Sequence, residues 1–489
     1  MQWIGWIVAC SAPAPHLDSV PGPFDTAHET APDDSAAPLA CTASLAATST
    51  MATALDLAWA CDEVDRASAT VLLASGASTT ASSVPEETVV LAPEHQDVTV
   101  DLEFWRGDEV VATATVTAST GDLPDGPSPT LTAIEGSVVT SQVVLYALED
   151  VASSSVTLMA GTGAPLWRLQ GDDFDGQTVD AAQSDAGGRG VIVSQTGART
   201  TEPGKQAAHE SNRLTRFSWR GVLTDEIPAA YSHHLFDQPS PGTVAWIRAR
   251  REHTPEGELD IVWDQIVLST WDGDETVVVD TESIGDFGSN CNVSSFYVGA
   301  CEPHHTNSVD CREDLGTCLA SLHNADRVVE LTLDDGGLVE DWTLFPVQDE
   351  AGEPMLGFDR AHDVQWSADG ESILVMNDAT DGAFATRLRR GQAPSELVAT
   401  WSYPQDTCIL GQALGSIQEL EHGHHVIGFS TPNNLLREVD GDGDVLWEAD
   451  FGGLPDARRC EHPDEVAQVL GEARVLDPSA LGANVIVVF

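Results

Sequence analysis

The chain has 489 residues, too many for one small core, and 42% of them are hydrophobic, which excludes a chain that stays unfolded. Asp and Glu number 78 against 22 Lys and Arg, for a formal net charge of −56. Such a surface argues against nucleic acid as a partner and against charge-driven adhesion to anionic lipid, since both need basic patches. It also requires any site for an anionic substrate to be locally basic.

The chain opens with MQWIGWIVAC, an apolar run too short to span a bilayer. IVAC followed by Ser11 has the form of a bacterial lipobox, in which Cys10 would carry the lipid, so residues 1–10 read as a lipoprotein signal remnant. Residues 11–40 are Pro-rich and acidic, the composition of a disordered tether. A lipid on Cys10 would be the chain's one attachment to a membrane. It places the expected location in the bacterial cell envelope, at the periplasm or outer membrane, or outside the cell. The eight further cysteines form no CxxC pair, which disfavours a zinc cage, and their even number fits disulfides in an oxidising compartment. Sequence neighbours suggest Cys41–Cys61, Cys291–Cys301, Cys311–Cys318 and Cys408–Cys460, among about 105 connectivities that eight cysteines allow.

Residues 41–125 hold short runs with period-2 alternation and turn residues between them, such as ATVLLAS, EETVVLAP and DVTVDLEFW. The pattern predicts an immunoglobulin-like or fibronectin-like sandwich with Trp59 as its core aromatic, bracing the next domain. GDLPDGPSPT, residues 121–130, reads as a linker from its Pro and Gly. From 131 to 489 the β pattern continues with no long helical period, and weak repeats of about 40–50 residues recur. An anchor residue, a turn Gly, a β run and a second hairpin often ending in Trp are found six times. The repeats lie near 131–170, 182–228, 231–280, 304–344, 361–403 and 413–451. This period predicts a six-bladed β-propeller, with the tail VLDPSALGANVIVVF returning a strand to the first or last blade. The fold class is therefore all-β, a sandwich followed by a propeller.

His234, His305 and His362 stand at matching places just before a blade's first strand, so three blades would aim imidazoles at one axial region. Asn307 follows His305 closely, and His323 ends the same blade's second run. Such a set suits nucleophilic catalysis, capture of a tetrahedral anion, or a transition-metal site. His233 and His304 read as structural neighbours, HGHH at 422–425 as a solvent-facing turn, and VDGDGD at 439–444 as a hairpin turn rather than a calcium loop.

On these residues the chain resembles the arylsulfate sulfotransferase family. HHTNSVDC…GTCLASLHNADRVVEL, AHDVQWSADGESILVMNDATDG and GSIQELEHGHHVIGFSTPNNLLREVDGDGDVLWEADF are similar to its successive blades, over roughly 130–489. The resemblance implies transfer of a sulfuryl group from a phenolic sulfate ester to another phenol, through a transiently sulfated His, with no nucleotide donor, cofactor or metal. His362 falls on the nucleophile, His305 and Asn307 on the H-x-N anion-binding pair, and His234 on the earlier-blade His. The family's S-L-R-N arginine is replaced here by His323, a cation only when protonated. Arg360, two residues before His362, is the candidate substitute. The alternative is a non-catalytic envelope propeller binding a ligand or partner, or a metal site built from His234, His305, His323 and His362.

Overall fold

The computed structural model describes residues 40–150, 154–197, 209–254, 259–285, 292–293, 300–343, 347–349, 354–355, 360–379, 382–391, 397–403, 411–432, 434–452 and 468–489. Residues 1–39, with Cys10 and the tether, lie outside these, as do Cys291, Cys408 and Cys460. The described residues are all-β: strands joined by turns and single 3-10 turns, in eight small sheets. Among them no helix is long and apolar enough to cross a membrane.

Two four-stranded sheets are built mainly from residues 41–119. Alternation fixes their inner face. In Asp97–Arg106 the buried residues are Val98, Val100, Leu102 and Phe104, while Asp97, Asp101 and Glu103 face outward. Phe104 is fully buried. Trp59 is only partly buried: it packs beside Phe104, ring centroids 5.4 Å apart, and its indole N–H donates to the Pro85 carbonyl at 2.8 Å. The expected core aromatic is thus Phe104, with Trp59 at the rim, where its N–H can be satisfied. Cys41 pairs with Cys61 across adjacent strands in a disulfide.

The other six sheets follow in chain order as antiparallel meanders, a propeller-like arrangement. Their leading strands are Gln468–Leu476, Thr178–Ser184, Asp237–Ser240, Thr306–Arg312, Ala361–Trp366 and Gly411–Glu419. Side chains clasp each to the next. Gln183 donates to the Phe236 carbonyl at 2.7 Å, Asp237 accepts from the Cys311 amide at 2.8 Å and Asp310 from the Trp366 amide at 2.6 Å. Asp363 accepts from the Ile417 amide at 3.1 Å, and Gln418 bonds both the amide and the carbonyl of Val475. Gln183 also reaches Glu472, on the strand where the series ends, so the clasps form a closed cycle. The disulfide Cys311–Cys318 crosses the hairpin led by Thr306–Arg312, as the spacing suggested, and Cys301 is also disulfide-bonded.

Two chain segments differ from expectation. Thr130–Ala133 joins the outer edge of the last sheet, against Val445–Asp450, rather than the first. The C-terminal region splits: Gln468–Leu476 completes the first meander beside Val143–Asp150, but Val485–Val487 leaves it and pairs parallel with Glu87–Leu91 of the sandwich. That last strand is apolar on both faces because it separates two cores. Val485 and Val487 pack with Trp167 and Trp219 of the meanders, and Ile486 and Val488 with Phe104 and Val100. Residues 40–489 accordingly form one compact unit. Of the expected linker 121–130, residues 121–129 are irregular but tied down, the Pro124 and Pro127 carbonyls accepting from buried Arg168, while Thr130 begins a strand.

Candidate functional site

The N-terminal ends of three neighbouring leading strands bring the predicted histidines together. Two backbone features do this. His234, His305 and Arg360 have positive φ, at 57°, 50° and 55°, just ahead of Asp237–Ser240, Thr306–Arg312 and Ala361–Trp366. Left-handed backbone is uncommon for side-chain-bearing residues and each such residue costs of order 1 kcal/mol, so three at one level of adjacent sheets mark a shaped site. One or two residues on, pairing with the next strand skips Asn307 between Thr306 and Ser308, and His362 between Ala361 and Asp363. A skipped residue is released from the pleat and re-aimed. His362 therefore matches Asn307, not His305. The left-handed partner of His234 and His305 is Arg360, which corrects the register read from the repeats.

The imidazoles meet. The Nε2 atoms of His234 and His305 are 2.9 Å apart, so one of them carries the shared proton. The His234 ring lies edge-on to His362 at 5.5 Å between centroids, and His305 edge-on to His323 at 5.7 Å. His233 stacks on His305 at 5.8 Å. The turn carrying His323 is tied back by its amide to the His305 carbonyl at 3.2 Å, and by the Asn324 amide to the His304 carbonyl at 2.8 Å. Asn307 is buried, with its Oδ1 lacking a hydrogen-bond partner among the described residues. Arg360 is exposed, its amide held by Asp326 at 3.0 Å, and its charge is felt at His323.

Burial pushes His362 and His323 toward the neutral form. His362 is lowered to about 3 by burial and then by repulsion from His323 and His305. Burial, His305 and Arg360 lower His323 to about 4, leaving it uncharged at neutral pH. His305 goes the other way: burial opposes its charge, but Glu302 outweighs burial, with help from Asp264, and its pKa rises. Glu302 Oε1 is 3.1 Å from His305 Nδ1. Asp264 joins His233 Nε2 at 3.1 Å and accepts the Thr306 amide at 2.6 Å, fixing the backbone just after His305.

A shared transition metal does not fit this arrangement. Two nitrogens on one tetrahedral zinc sit about 3.3 Å apart, since each Zn–N bond is about 2.0 Å. The 2.9 Å between His234 and His305 is a hydrogen bond instead. Among the described residues no group of three or more His, Cys, Asp or Glu is placed to hold a metal ion.

No family model matches this chain. No curated protein matches it either. Solved structures similar to it include a 6-phosphogluconolactonase-like protein from Bacteroides fragilis NCTC 9343, at 12% identity and a TM-score of 0.39, covering 66% of this chain and 85% of that one. The Cps50 (Swd1) β-propeller domain of Myceliophteria thermophila is similar at 9% identity and 0.40, covering 73% and 98%. A protein of unknown function from Bacteroides caccae is similar at 9% and 0.30, covering 84% and 99%. Nothing about the chemistry of this chain can be drawn from these likenesses.

Three residues around the site were not legible as part of it. His233, read as structural, belongs to the ring cluster. Asp264 and Glu302 supply its negative charge; the one signal was an Asp inside the apolar run DIVWDQIVL. Glu302 arrives by tertiary structure, on the short strand Ala300–Glu302 that pairs with Asp260 and Ile261. His304 is buried against Trp263, as a structural residue should be. The HGHH turn faces inward in part: His425 is buried and stacked on Trp401 at 4.0 Å, and His424 bonds Glu438 at 2.8 Å.

Proposed function

We propose that the six meanders are the blades of a six-bladed β-propeller carrying an immunoglobulin-like sandwich, and that the imidazole cluster transfers a sulfuryl group from an aryl sulfate to a phenol. The observation that carries the reading is a buried, uncharged His362 facing His234, which shares a proton with the protonatable His305.

The chemistry divides into two displacements. The Gly415 amide points at His362 Nδ1 from 3.4 Å, which puts the ring proton on Nε2. When a sulfuryl oxygen takes the His305 N–H, His234 Nε2 is freed to accept that proton. The Nε2 lone pair then attacks sulfur, the S–O bond to the ring breaks with its electron pair going to the phenolate, and the phenolate takes the proton from His234 and departs as phenol. In the second half an acceptor phenol gives up its proton to the now neutral His234, its oxygen attacks sulfur, the N–S bond breaks with its electron pair going to His362 Nε2, and His234 returns the proton there. The Asn307 side-chain NH2 and the His305 N–H donate to the sulfuryl oxygens as charge builds. Arg360 at the rim, whose charge is felt at His323, draws the anion in.

The test is transfer from 4-nitrophenyl sulfate to phenol, with mass spectrometry of the His362 peptide in donor alone. Turnover by the parent, with roughly a thousandfold or greater loss in His362→Asn, is the expected result. No turnover, or equal turnover in the variant, overturns it. The neutral His323 in place of a permanent cation favours one other reading, a propeller that only binds the anion. Saturable binding of the ester without release of phenol is its signature. An envelope location through lipid on Cys10 is part of the same proposal, checked by the mass of the N-terminal peptide.

A further inference from the structure

The site sits in a chain of net charge −56, and its family-position arginine is a His held neutral. Something else must supply positive charge where a tetrahedral oxyanion would bind. The groups facing His305 come from every element around it. They are Glu302 on its Nδ1 side, His234 on its Nε2 side, His233 stacked on its face and Asp264 behind, with His323 opposite, His362 beyond His234, and Arg360 at the rim beside His323. His305 has a carboxylate beside one ring nitrogen and another imidazole on the other. Glu302 is 1% exposed, so its charge acts with little screening by water. It is held there by the pairing of Ala300–Glu302 with Asp260–Ile261, and by the Asn324 side chain, which donates to its carbonyl at 2.8 Å.

We propose that Glu302 is a positioning residue that keeps the His305 imidazole protonated, making a gated cation that replaces the absent arginine and binds one tetrahedral oxyanion. The inference rests on the sulfuryl-transfer reading for its substrate but not for its anion site. His305 keeps Glu302 beside its Nδ1 as an ion pair at 3.1 Å and presents its Nε2–H to the guest, displacing His234. Glu302 itself never touches the guest. A cation of this kind makes binding pH-dependent. Affinity is full while His305 is protonated and falls about tenfold per pH unit once pH exceeds its ionisation. A permanent guanidinium shows no such fall.

The experiment measures binding of inorganic sulfate and, separately, inorganic phosphate to the full chain by calorimetry between pH 5 and 9, with the His imidazole signals followed by NMR. In the parent, sulfate binding should weaken with rising pH in step with one imidazole. Glu302→Gln should move that step to lower pH and cost about tenfold in affinity at neutral pH, with affinity recovered in acid. Adding His323→Arg to Glu302→Gln should restore binding and flatten its pH profile. If Glu302→Gln folds poorly, His323→Arg alone must flatten the parent profile. A Glu302→Gln profile that overlays the parent overturns the inference, as does a parent profile already flat across this range. Phosphate binding in place of sulfate leaves the gated cation standing and removes the sulfuryl assignment. Aryl sulfate turnover insensitive to Glu302→Gln does the reverse.

Discussion

The leading strands carry two buried polar clusters, and their contrast is instructive. Near the N-terminal ends lie the imidazoles. Only a few residues further on lie Asp237, Asp310 and Asp363, facing Glu472 and Arg474. Burial drives both sets toward neutrality. It lowers His362 to about 3 and raises Asp310 to about 8, the latter with added repulsion from Asp237. In each cluster carboxylates support a cation. Arg474 holds its charge through Glu472 and through Asp363 at 3.9 Å. His305 holds its own through Glu302. The difference lies in what the groups are tied to. The Asp237, Asp310 and Asp363 side chains accept amides from the next sheet, so they tie neighbouring sheets together. The imidazoles mostly touch one another, as His234 and His305 do at 2.9 Å.

The contrast breaks first at Arg474. Arg474→Met leaves Glu472 and Asp363 buried without their cation and should cost about 3–5 kcal/mol at neutral pH by denaturant unfolding. A loss under about 1 kcal/mol means the carboxylate cluster does not depend on its cation. Asp310→Asn is next. A carboxyl whose folded pKa exceeds its unfolded value contributes stability that is fully present below the unfolded pKa, about 4, and is lost as pH rises toward about 8. The amide keeps an oxygen for the Trp366 N–H and does not titrate. The variant should therefore gain on the parent by up to about 1.4 kcal/mol per pH unit across that window. Parallel melting curves at pH 6 and 9 contradict this. The smallest effect is of opposite sign. His304 is lowered to about 4, first by burial, so the folded parent loses stability as pH falls from about 6.5 toward 4. His304→Gln should flatten that slope by about 1.4 kcal/mol per pH unit while leaving neutral-pH anion binding in place. An unchanged slope shows that another imidazole dominates it.

Much of this was written in residue order. Period-2 alternation in Asp97–Arg106, the recurring turn-and-hairpin outline, and the close Cys41–Cys61 and Cys311–Cys318 spacings all act between strands adjacent in sequence. Local spacing can specify those. His305, Asn307 and His323 likewise share one hairpin, so their meeting was legible.

What the sequence by itself determined, then, is the all-β class, the meander repeat and the residue types that converge. The tertiary structure alone decided that Val485–Val487 divides two cores instead of joining a meander, because an apolar run with no alternation does not say which partner covers each face. It alone placed His362 level with Asn307, because a skipped pairing shifts register by one residue and leaves no mark in composition. And it alone set Glu302 against His305, because the charge state of a buried imidazole depends on which carboxylate the fold brings within about 3 Å of it.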